Sequence, residues 1–329
     1  MITYFAPLEG VTGHVFRRAH SMYFRQPDVY YSPFLSPTKN RVFTPREMKE
    51  VLPENNAGIR LVPQLMTNNA EDFLWAAGEL SDMGYGEVNL NLGCPSGTVV
   101  AKKKGSGFLS EPEALDAFFD QVFDGLSGRP GSGDEMKISV KTRLGRKDPE
   151  EFHRLLEIFN KYHISLLTVH PRIQADFYKG RPNLFMFGEA LRESRNPVCY
   201  NGNIFTPADY ERFTEEFPAC GHVMLGRGFV ANPALLEGIA GEPRSREQLM
   251  EFHGRLLEDY GREMSGERNL LFKMKELWFY MIQTFTDGGG RREKLAKKIR
   301  KAERLWQYEE AVKAVFEELE PAKEYELEF

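Results

Sequence analysis

The first 240 residues alternate between short apolar runs and longer segments in which apolar residues recur at helical spacing. Eight runs are rich in β-branched and other apolar residues, at 2–6, 28–34, 59–65, 86–92, 136–142, 164–170, 197–201 and 222–225. Strand-like runs separated by helical segments are typical of successive βα units. Because no run has the pattern of an exposed edge strand, a closed (β/α)₈ TIM barrel is favoured over an open sheet.

Residues that commonly start helices stand between these runs. Ser, Thr, Asn and Asp side chains cap the first turn, and Pro is favoured at the first helical position. Six such signals precede the helical segments, at Thr12, Thr44, Asn69, Glu111–Pro112, Asp148–Pro149 and Thr206–Pro207. We therefore predict that a helix begins close to each of them.

The pattern changes after residue 240, where strand-like runs stop. Four segments keep only the helical spacing, at about 245–264, 267–285, 291–305 and 308–319. The triplet Gly288-Gly289-Gly290 separates the second segment from the third. We predict an α/β fold in which a barrel over residues 1–240 is followed by an all-helical domain over residues 241–329.

Composition narrows the class of protein. The 329 residues are 41% hydrophobic and 28% charged, which is ordinary for a globular chain. No stretch approaches the roughly 18 uninterrupted apolar residues of a membrane span, and the first residues lack a leader pattern, so a cytoplasmic protein without a membrane partner is predicted. Neither the three cysteines, Cys94, Cys199 and Cys220, nor the seven histidines have metal-ligand spacing, so we expect neither a disulfide framework nor a metal site.

Polar residues cluster where the strand-like runs end. In barrel enzymes the active site lies at the C-terminal ends of the strands, so these residues are the candidates for chemistry. They stand at or just past the ends of seven of the eight runs, as Glu9, Gln64, Asn91 with Cys94, Lys141, His170 with Arg172, Asn201-Gly202-Asn203 and Gly226-Arg227. A cysteine at a strand end is a candidate reactive thiol, although a buried small side chain is the ordinary alternative.

Six motifs in sequence order carry a resemblance to a known family. They are APLEGVT at 6–12, NLNLGCP at 89–95, SVKTRLG at 139–145, TVHPR at 168–172, NGNI at 201–204 and MLGRGFVANP at 224–233. The chain resembles the tRNA-dihydrouridine synthases over nearly the whole barrel, and more faintly in the helical tail. The resemblance implies an enzyme with bound FMN that uses NADPH to reduce uridine in tRNA to 5,6-dihydrouridine.

The resemblance also implies the two central residues. Cys94 matches the catalytic cysteine, which donates a proton to C5 of uracil while hydride from the flavin reaches C6. A cysteine thiol with the ordinary pKa of about 8.5 is largely protonated at neutral pH, so it can act as a general acid. Lys141 matches the residue that stabilises negative charge on the reduced flavin.

Further residues are expected around the flavin. Pro7, Leu8 and Glu9 would approach the ring with main-chain groups, and Gln64 would bond the edge of the isoalloxazine. His170 is either a flavin or substrate contact or a satisfied rim residue. The FMN phosphate needs clustered N–H donors after strands seven and eight, which fits two loops, Asn201-Gly202-Asn203 and Gly226-Arg227. Gly226–Ala231 also fits a loose dinucleotide-binding fingerprint, but this segment comes last in the series of βα units, which favours a phosphate-binding loop.

Two basic segments are candidates for RNA contact. The loop after Cys94 contains Lys102, Lys103 and Lys104, which either guide phosphate or are merely solvated. Residues 291–304 hold eight basic side chains and two acidic ones, although the whole chain has a net charge of −5. Since apolar residues recur there at helical spacing, one helix should bury a stripe and present a basic face to phosphate, from which we name Arg291, Lys298 and Arg300.

Asn91 and Arg172 are candidate substrate contacts, although Asn91 could equally cap its own turn. The chain departs from the family pattern at three places, with Pro171 for Gly, Asn203 for Asp and Glu276 for His. A flavin barrel that acts on a free pyrimidine, of the dihydroorotate or dihydropyrimidine dehydrogenase type, is the nearest alternative. A catalytically silent tRNA-binding module is the second, and we expect a monomer.

Overall fold

A computed structural model describes residues 1–127, 136–242, 244–322 and 324–327. Its centre is a closed barrel of eight parallel strands in sequence order. The strands are β1 Ile2–Phe5, β2 Val29–Leu35, β3 Leu61–Leu65, β4 Glu87–Leu92, β5 Lys137–Arg143, β6 Leu167–His170, β7 Val198–Tyr200 and β8 His222–Leu225. All eight predicted strands are present, and the predicted barrel is confirmed.

Strand register brings the polar residues of neighbouring strands side by side. Gln64 of β3 pairs with Asn89 of β4. Asn91 of β4 pairs with Lys141 of β5, one step further along the barrel. In the next pair of strands, β5 and β6, Arg143 lies opposite His170. The alternation of Asn89 and Asn91 with leucines places both amides on one face of β4, because successive side chains point to opposite faces of a strand.

Helices connect the strands and continue beyond the barrel. In the described residues they are α1 His14–Tyr23, α2 Pro45–Val51, α3 Ala70–Asp82, α4 Gly97–Val100, α5 Pro112–Ser127, α6 Glu151–Phe159, α7 Leu184–Glu193, α8 Pro207–Glu216, α9 Arg227–Ala231, α10 Leu235–Ile239, α11 Arg246–Glu263, α12 Glu267–Met281, α13 Arg291–Lys301 and α14 Leu305–Glu318. The four helical segments predicted after residue 240 correspond to α11–α14.

Four of the six helix-start signals work as predicted. The side chains of Thr44 and Asn69 accept hydrogen bonds from the first turns of α2 and α3. Pro112 and Pro207 are the first residues of α5 and α8. The Thr44 and Asn69 side chains thus satisfy N–H groups that have no partner inside the helix.

At the other two signals the helix begins later. The Thr12 hydroxyl accepts a hydrogen bond from the Leu8 N–H at 2.8 Å, so it closes the preceding turn, and α1 begins at His14. The carboxylate of Glu151 accepts from the backbone N–H groups of residues 146, 147 and 148, which makes a turn of that segment. For this reason α6 begins at Glu151 and not at Pro149.

The contacts divide the chain into two compact units, which are each discontinuous in sequence. The first unit consists of Met1–Pro7, Asp28–Asn203 and Thr214–Met224. Its core includes α5, where Phe118 packs edge-to-face on Phe73 of α3 with ring centroids 5.7 Å apart. The second unit consists of Leu8–Pro27, Ile204–Phe213 and Leu225–Phe329.

The core of the second unit contains helices from both ends of the chain. Phe16 of α1 packs edge-to-face on Phe252 of α11 with centroids 5.6 Å apart. Trp278 of α12 packs on Phe316 of α14 at 5.7 Å. The predicted domain boundary at residue 240 stays a prediction, and positions 243, 323, 328 and 329 of the predicted helical domain lie outside the described residues.

Candidate active site

A chain of hydrogen-bonded amides runs across β3, β4 and β5. The buried Gln64 donates from Nε2 to Asn89 Oδ1 at 2.8 Å and accepts at Oε1 from Asn91 Nδ2 at 2.7 Å. Asn89 in turn donates from Nδ2 to Ser139 Oγ of β5 at 3.1 Å. Buried amides with both ends engaged have one orientation, because an unmade bond would leave a desolvated polar atom. The Asn91 side chain is therefore fixed.

Asn91 holds the turn that carries Cys94. Its Oδ1 accepts hydrogen bonds from the backbone N–H groups of Gly93 at 3.0 Å and Cys94 at 2.9 Å. This is the turn-capping arrangement that the sequence left open for Asn91, while its contact with uracil stays a prediction. The Cys94 thiol is partly buried, and the turn places it directly past the end of β4.

The segment after Cys94 packs closely behind it. Both the N–H and the hydroxyl of Ser106 donate to the Cys94 carbonyl oxygen, at 3.1 and 2.8 Å. Gly105 has a φ of +55°, and a Cβ there would lie 2.9 Å from that carbonyl oxygen and 3.0 Å from Cys94 Cβ. Only glycine fits this approach without strain. The Cys94 backbone is thus clamped from two sides.

Lys141 is a partly buried cation beside this turn. Its Nζ makes no hydrogen bond or ion pair with any residue in the described part of the chain. Burial and, secondarily, the positive charge of Arg143 lower the pKa of Lys141 from 10.5 to about 7. Arg143 itself is committed to protein groups, donating to the carbonyl oxygens of Gly93 at 2.8 Å and Ile173 at 3.0 Å. The described chain therefore supplies no counter-ion for the protonated form of Lys141.

Arg172 joins the end of β6 to the loop after β7. The side chain is 1% exposed, and its Nη1 donates to Nε2 of the buried His170 at 2.9 Å. Its Nη2 donates to the Gly180 carbonyl at 2.6 Å and to Asn203 Oδ1 at 3.2 Å. Burial lowers the pKa of the guanidinium. At position 203 the amide oxygen of Asn203 thus contacts the buried Arg172 guanidinium, where the resembled pattern has a carboxylate. The contacts of His170 and Arg172 with flavin or substrate stay predictions.

The loop of Asn201, Gly202 and Asn203 is shaped by its neighbours in the first unit. Asn201 Nδ2 donates to the Met224 carbonyl oxygen at 2.8 Å, which links the ends of β7 and β8. A Cβ on Gly202 would lie 2.0 Å from the Tyr200 hydroxyl. A larger residue at position 202 would therefore displace the Tyr200 ring.

In the second unit, Gly226 precedes α9 and Arg227 is its first residue. The Arg227 guanidinium stacks on the Phe205 ring, 5.1 Å from its centroid. The Tyr325 hydroxyl donates to the Phe205 carbonyl oxygen at 2.8 Å and accepts from Asn232 Nδ2 at 3.0 Å. Tyr325 lies 120 residues from Phe205 in a segment without a recognisable motif, so the sequence does not point to this residue.

The loop after β1 is a tight turn. The carbonyl oxygen of Leu8 accepts from the N–H groups of Val11 and Thr12, both at 3.0 Å. Glu9 is exposed, and Pro7 is partly buried. Lys273 of α12 donates to the Gly10 carbonyl oxygen and forms an ion pair with Glu276 at 2.6 Å. Glu276, which stands where the resembled pattern has His, therefore has a partner in Lys273. The flavin contacts predicted for Pro7, Leu8 and Glu9 stay predictions.

The lysines after Cys94 lie on an ordered segment. Asn68 Nδ2 donates to the carbonyl oxygens of Lys102 at 3.2 Å and Lys103 at 3.1 Å. The Lys103 ammonium pairs with Glu111 at 3.0 Å, and Lys104 is partly buried. Of the three ammonium groups, that of Lys102 is exposed and has no ion pair with a described residue.

Helix α13 has the amphipathic arrangement that its sequence predicts. Leu295 and Ile299 are buried, while Lys298 and Arg300 are exposed. Arg291 differs, because it forms an ion pair with Glu318 of α14.

Two features are absent from the described residues. No helix in them is both long and apolar enough to cross a bilayer. Nor do those residues include a group of three or more His, Cys, Asp or Glu side chains placed to hold a metal ion.

Comparison with known proteins identifies the family. The family model described as "Dihydrouridine synthase (Dus)" matches residues 4–320, which is nearly the whole chain. The chain belongs to the dihydrouridine synthase family. The family predicted from the six motifs is thereby confirmed, and so is the prediction that the chain is an enzyme.

Curated proteins with similar sequences are named as tRNA-dihydrouridine synthases. The chain is 28% identical over 305 residues to "Probable tRNA-dihydrouridine synthase 1" of Synechocystis sp., covering 88% of this chain and 80% of the relative. It is 28% identical over 271 residues to "Probable tRNA-dihydrouridine synthase 2" of Bacillus subtilis, covering 78% of each chain.

Solved structures share the barrel at low sequence identity. A morphinone reductase in complex with tetrahydroNAD aligns with a TM-score of 0.50 and 14% identity, covering 74% of this chain and 88% of the reductase. A 2-naphthoyl-CoA reductase complex aligns with a TM-score of 0.54 and 10% identity, covering 74% of this chain and 50% of that one. At these identities the likeness concerns the fold alone.

Proposed function

We propose that this protein reduces uridine to 5,6-dihydrouridine in tRNA, with FMN as the bound cofactor and NADPH as the reductant. Family membership supports dihydrouridine formation, and the names of the relatives support tRNA as the carrier of the uridine. The observation that carries the site assignment is the fixed turn at Cys94 beside the unpaired cation of Lys141.

The side chains of the barrel fit a flavin. A reduced isoalloxazine carries negative charge near N1 and the C2 carbonyl, which needs a positioned cation. Lys141 is suited to this role because burial without a counter-ion is costly, and an incoming anion would remove that cost. The loop of Asn201-Gly202-Asn203 follows β7, in a region where barrels commonly bind phosphate, and we assign the FMN phosphate to it. The matching assignment of Gly226 and Arg227 is still a prediction from the sequence.

Cys94 would complete the reaction as the proton donor. Bound FMN beside Lys141 would, after reduction by NADPH, supply the hydride for C6 of uracil. The proton on Cys94 Sγ is transferred to C5, so the C5–C6 double bond becomes single, and the thiolate regains a proton from solvent. Asn91 accepts hydrogen bonds from the backbone N–H groups of Gly93 and Cys94, which fixes the backbone that carries the sulfur during proton transfer.

The substrate must enter as an unstacked nucleotide. A base within a stacked RNA helix cannot reach a group that lies past the end of a barrel strand, so the uridine has to be turned out of its loop. The exposed cations of α13 are suited to hold the phosphates of the same RNA. The cytoplasmic location and the monomeric state stay predictions.

The direct test uses purified protein, NADPH and an unmodified tRNA transcript. We expect a yellow protein whose released cofactor is FMN by mass, and a gain of two hydrogens in the tRNA at uridine. Turnover of dihydroorotate or dihydrouracil with the tRNA left unmodified would instead support an enzyme of free pyrimidines. A colourless protein that binds tRNA would support the silent binding module.

A further inference from the structure

A cleft of about 690 Å³ lies between α12 and α13 in the second unit. Its apolar lining includes Ile282 and Ile299, which are buried. Phe279 of α12 and Arg300 of α13 also line it. Clefts of roughly 300–1,000 Å³ are typical of small-ligand sites, so the volume suffices for one nucleotide.

Phe279 gives this cleft an exposed aromatic surface. The side chain is 56% exposed, whereas the preceding residues Leu277 and Trp278 are buried. An exposed phenyl ring costs free energy unless something covers it, and every nucleobase has a flat face that can stack on such a ring. The ring is therefore suited to a base that has left its own stack.

The charged groups of the cleft suit the rest of a nucleotide. Arg300 is exposed and makes no ion pair or hydrogen bond with any residue that the structure describes, which leaves its guanidinium available for phosphate. Arg292 and Lys275, which also line the cleft, donate to the carbonyl oxygens of Phe285 and Ala302. The carboxylates of Glu293 and Glu326 can accept hydrogen bonds from the amino groups of a base.

We propose that the cleft between α12 and α13 binds a second unstacked nucleotide of the tRNA, distinct from the uridine that is reduced. Its base stacks on Phe279 and its phosphate pairs with Arg300. The proposal rests on the proposed function, because that function supplies the RNA. It adds a base-stacking site to a helical surface whose sequence predicts only contacts with the phosphate backbone.

The test compares two phenylalanines on one helix. Phe272 is 72% exposed on α12 but does not line the cleft, so Phe272→Ala is a matched control for Phe279→Ala. With FMN-loaded protein and unmodified tRNA, we expect Phe279→Ala to weaken binding about ten-fold, the usual loss for one stacked base, while Phe272→Ala leaves it at the wild-type level. Phe279→Trp should restore tight binding.

A second probe separates stacking from backbone attraction. A blunt RNA duplex has phosphates but no unstacked base, so Phe279→Ala should bind it as the wild-type protein does, while Arg300→Gln weakens binding of both RNAs. Equal losses in the two alanine variants, or equal losses on tRNA and duplex for Phe279→Ala, would overturn the proposal. Flavin content and melting temperature, measured for every variant, show whether each has folded.

The two proposals fail in different ways. If the wild-type protein forms dihydrouridine but Phe279→Ala binds tRNA normally, the cleft does not hold a nucleotide and the proposed function stands. If the wild-type protein neither modifies nor binds tRNA, the proposed function is wrong and the nucleotide site falls with it.

Discussion

The surroundings of Cys94 and the charged face of α13 show two opposite ways of holding polar side chains. Near Cys94, Gln64 and Asn91 are buried, their amide groups form a hydrogen bond with each other, and Asn91 also accepts hydrogen bonds from the backbone. On α13, Lys298 and Arg300 are exposed and have no ion pair with a described residue. Proton transfer to carbon needs a group held at a set distance, whereas phosphate contacts with a long RNA tolerate mobile side chains. The comparison predicts which substitutions damage chemistry and which damage only binding.

The largest effect is expected for Cys94→Ala. Loss of a general acid usually costs about 10²–10⁴-fold in rate, so dihydrouridine formation should fall to background. The turn is held through backbone N–H groups, which alanine keeps, so FMN should remain bound. Mass spectrometry of the tRNA and flavin absorbance of the protein measure both. A variant that loses the flavin would show that Cys94 is structural.

Lys141→Met tests whether burial of the charged Lys141 side chain near Cys94 lowers the stability of the fold. The pKa of Lys141 is lowered from 10.5 to about 7, so between these pH values the unfolded chain holds a proton that the folded chain has released. Stability contributed by this group therefore rises with pH, by about 1.4 kcal/mol per unit, and the penalty is complete below pH 7. The FMN-free variant should be more stable than wild type at pH 7, with the difference shrinking by pH 9.

Urea unfolding at both pH values measures this difference. Lys137→Met is the control, because Lys137 is on the same strand but exposed. A stability difference for Lys141→Met that is the same at pH 7 and pH 9 would contradict the lowered pKa.

Gln64→Leu should break the chain of amides. It leaves Asn89 Oδ1 and Asn91 Nδ2 buried without their partners, which costs about 1–3 kcal/mol of stability. Because Asn91 is then less constrained, the rate of dihydrouridine formation should fall as well, even in the fraction that is folded. A lowered melting temperature with an unchanged rate would mean that the amides serve stability alone.

The smallest effect is expected on the exposed face of α13. Replacing Lys298 and Arg300 together by Glu should weaken tRNA binding on the order of ten-fold at low salt, with the gap narrowing as salt is raised. Binding isotherms at several salt concentrations measure this. An effect that does not depend on salt would show that these residues act through folding, which the melting temperature would also reveal.

Much of the fold is readable from the sequence because its determinants are local. A run such as 86–92 alternates amides with leucines, and this pattern defines β4 without knowledge of any other strand. The caps at Thr44 and Asn69 act within three residues. α6 begins two residues past Pro149 because the Glu151 carboxylate holds the preceding turn, and sequence preference alone does not give this detail.

The site is less readable because its contacts join distant residues. That Gln64 bonds both Asn89 and Asn91 depends on the register of β3 against β4, which no local pattern sets. The alternation of Asn89 and Asn91 was a usable signal, since two amides on one buried face need partners on a neighbouring strand. Ser106 donates a hydrogen bond to the Cys94 carbonyl oxygen. It stands in a glycine- and lysine-rich segment whose sequence is equally typical of a solvated loop.

The hydrogen bond between Tyr325 and Phe205 has a consequence for synthesis. Tyr325 follows Phe205 by 120 residues, so on the ribosome the Phe205 carbonyl gains this partner only after that whole stretch has emerged. Any truncation that ends before Tyr325 would leave the Phe205 carbonyl and the Asn232 amide without it. The segment whose ring stacks on Arg227 is thus completed only late in synthesis.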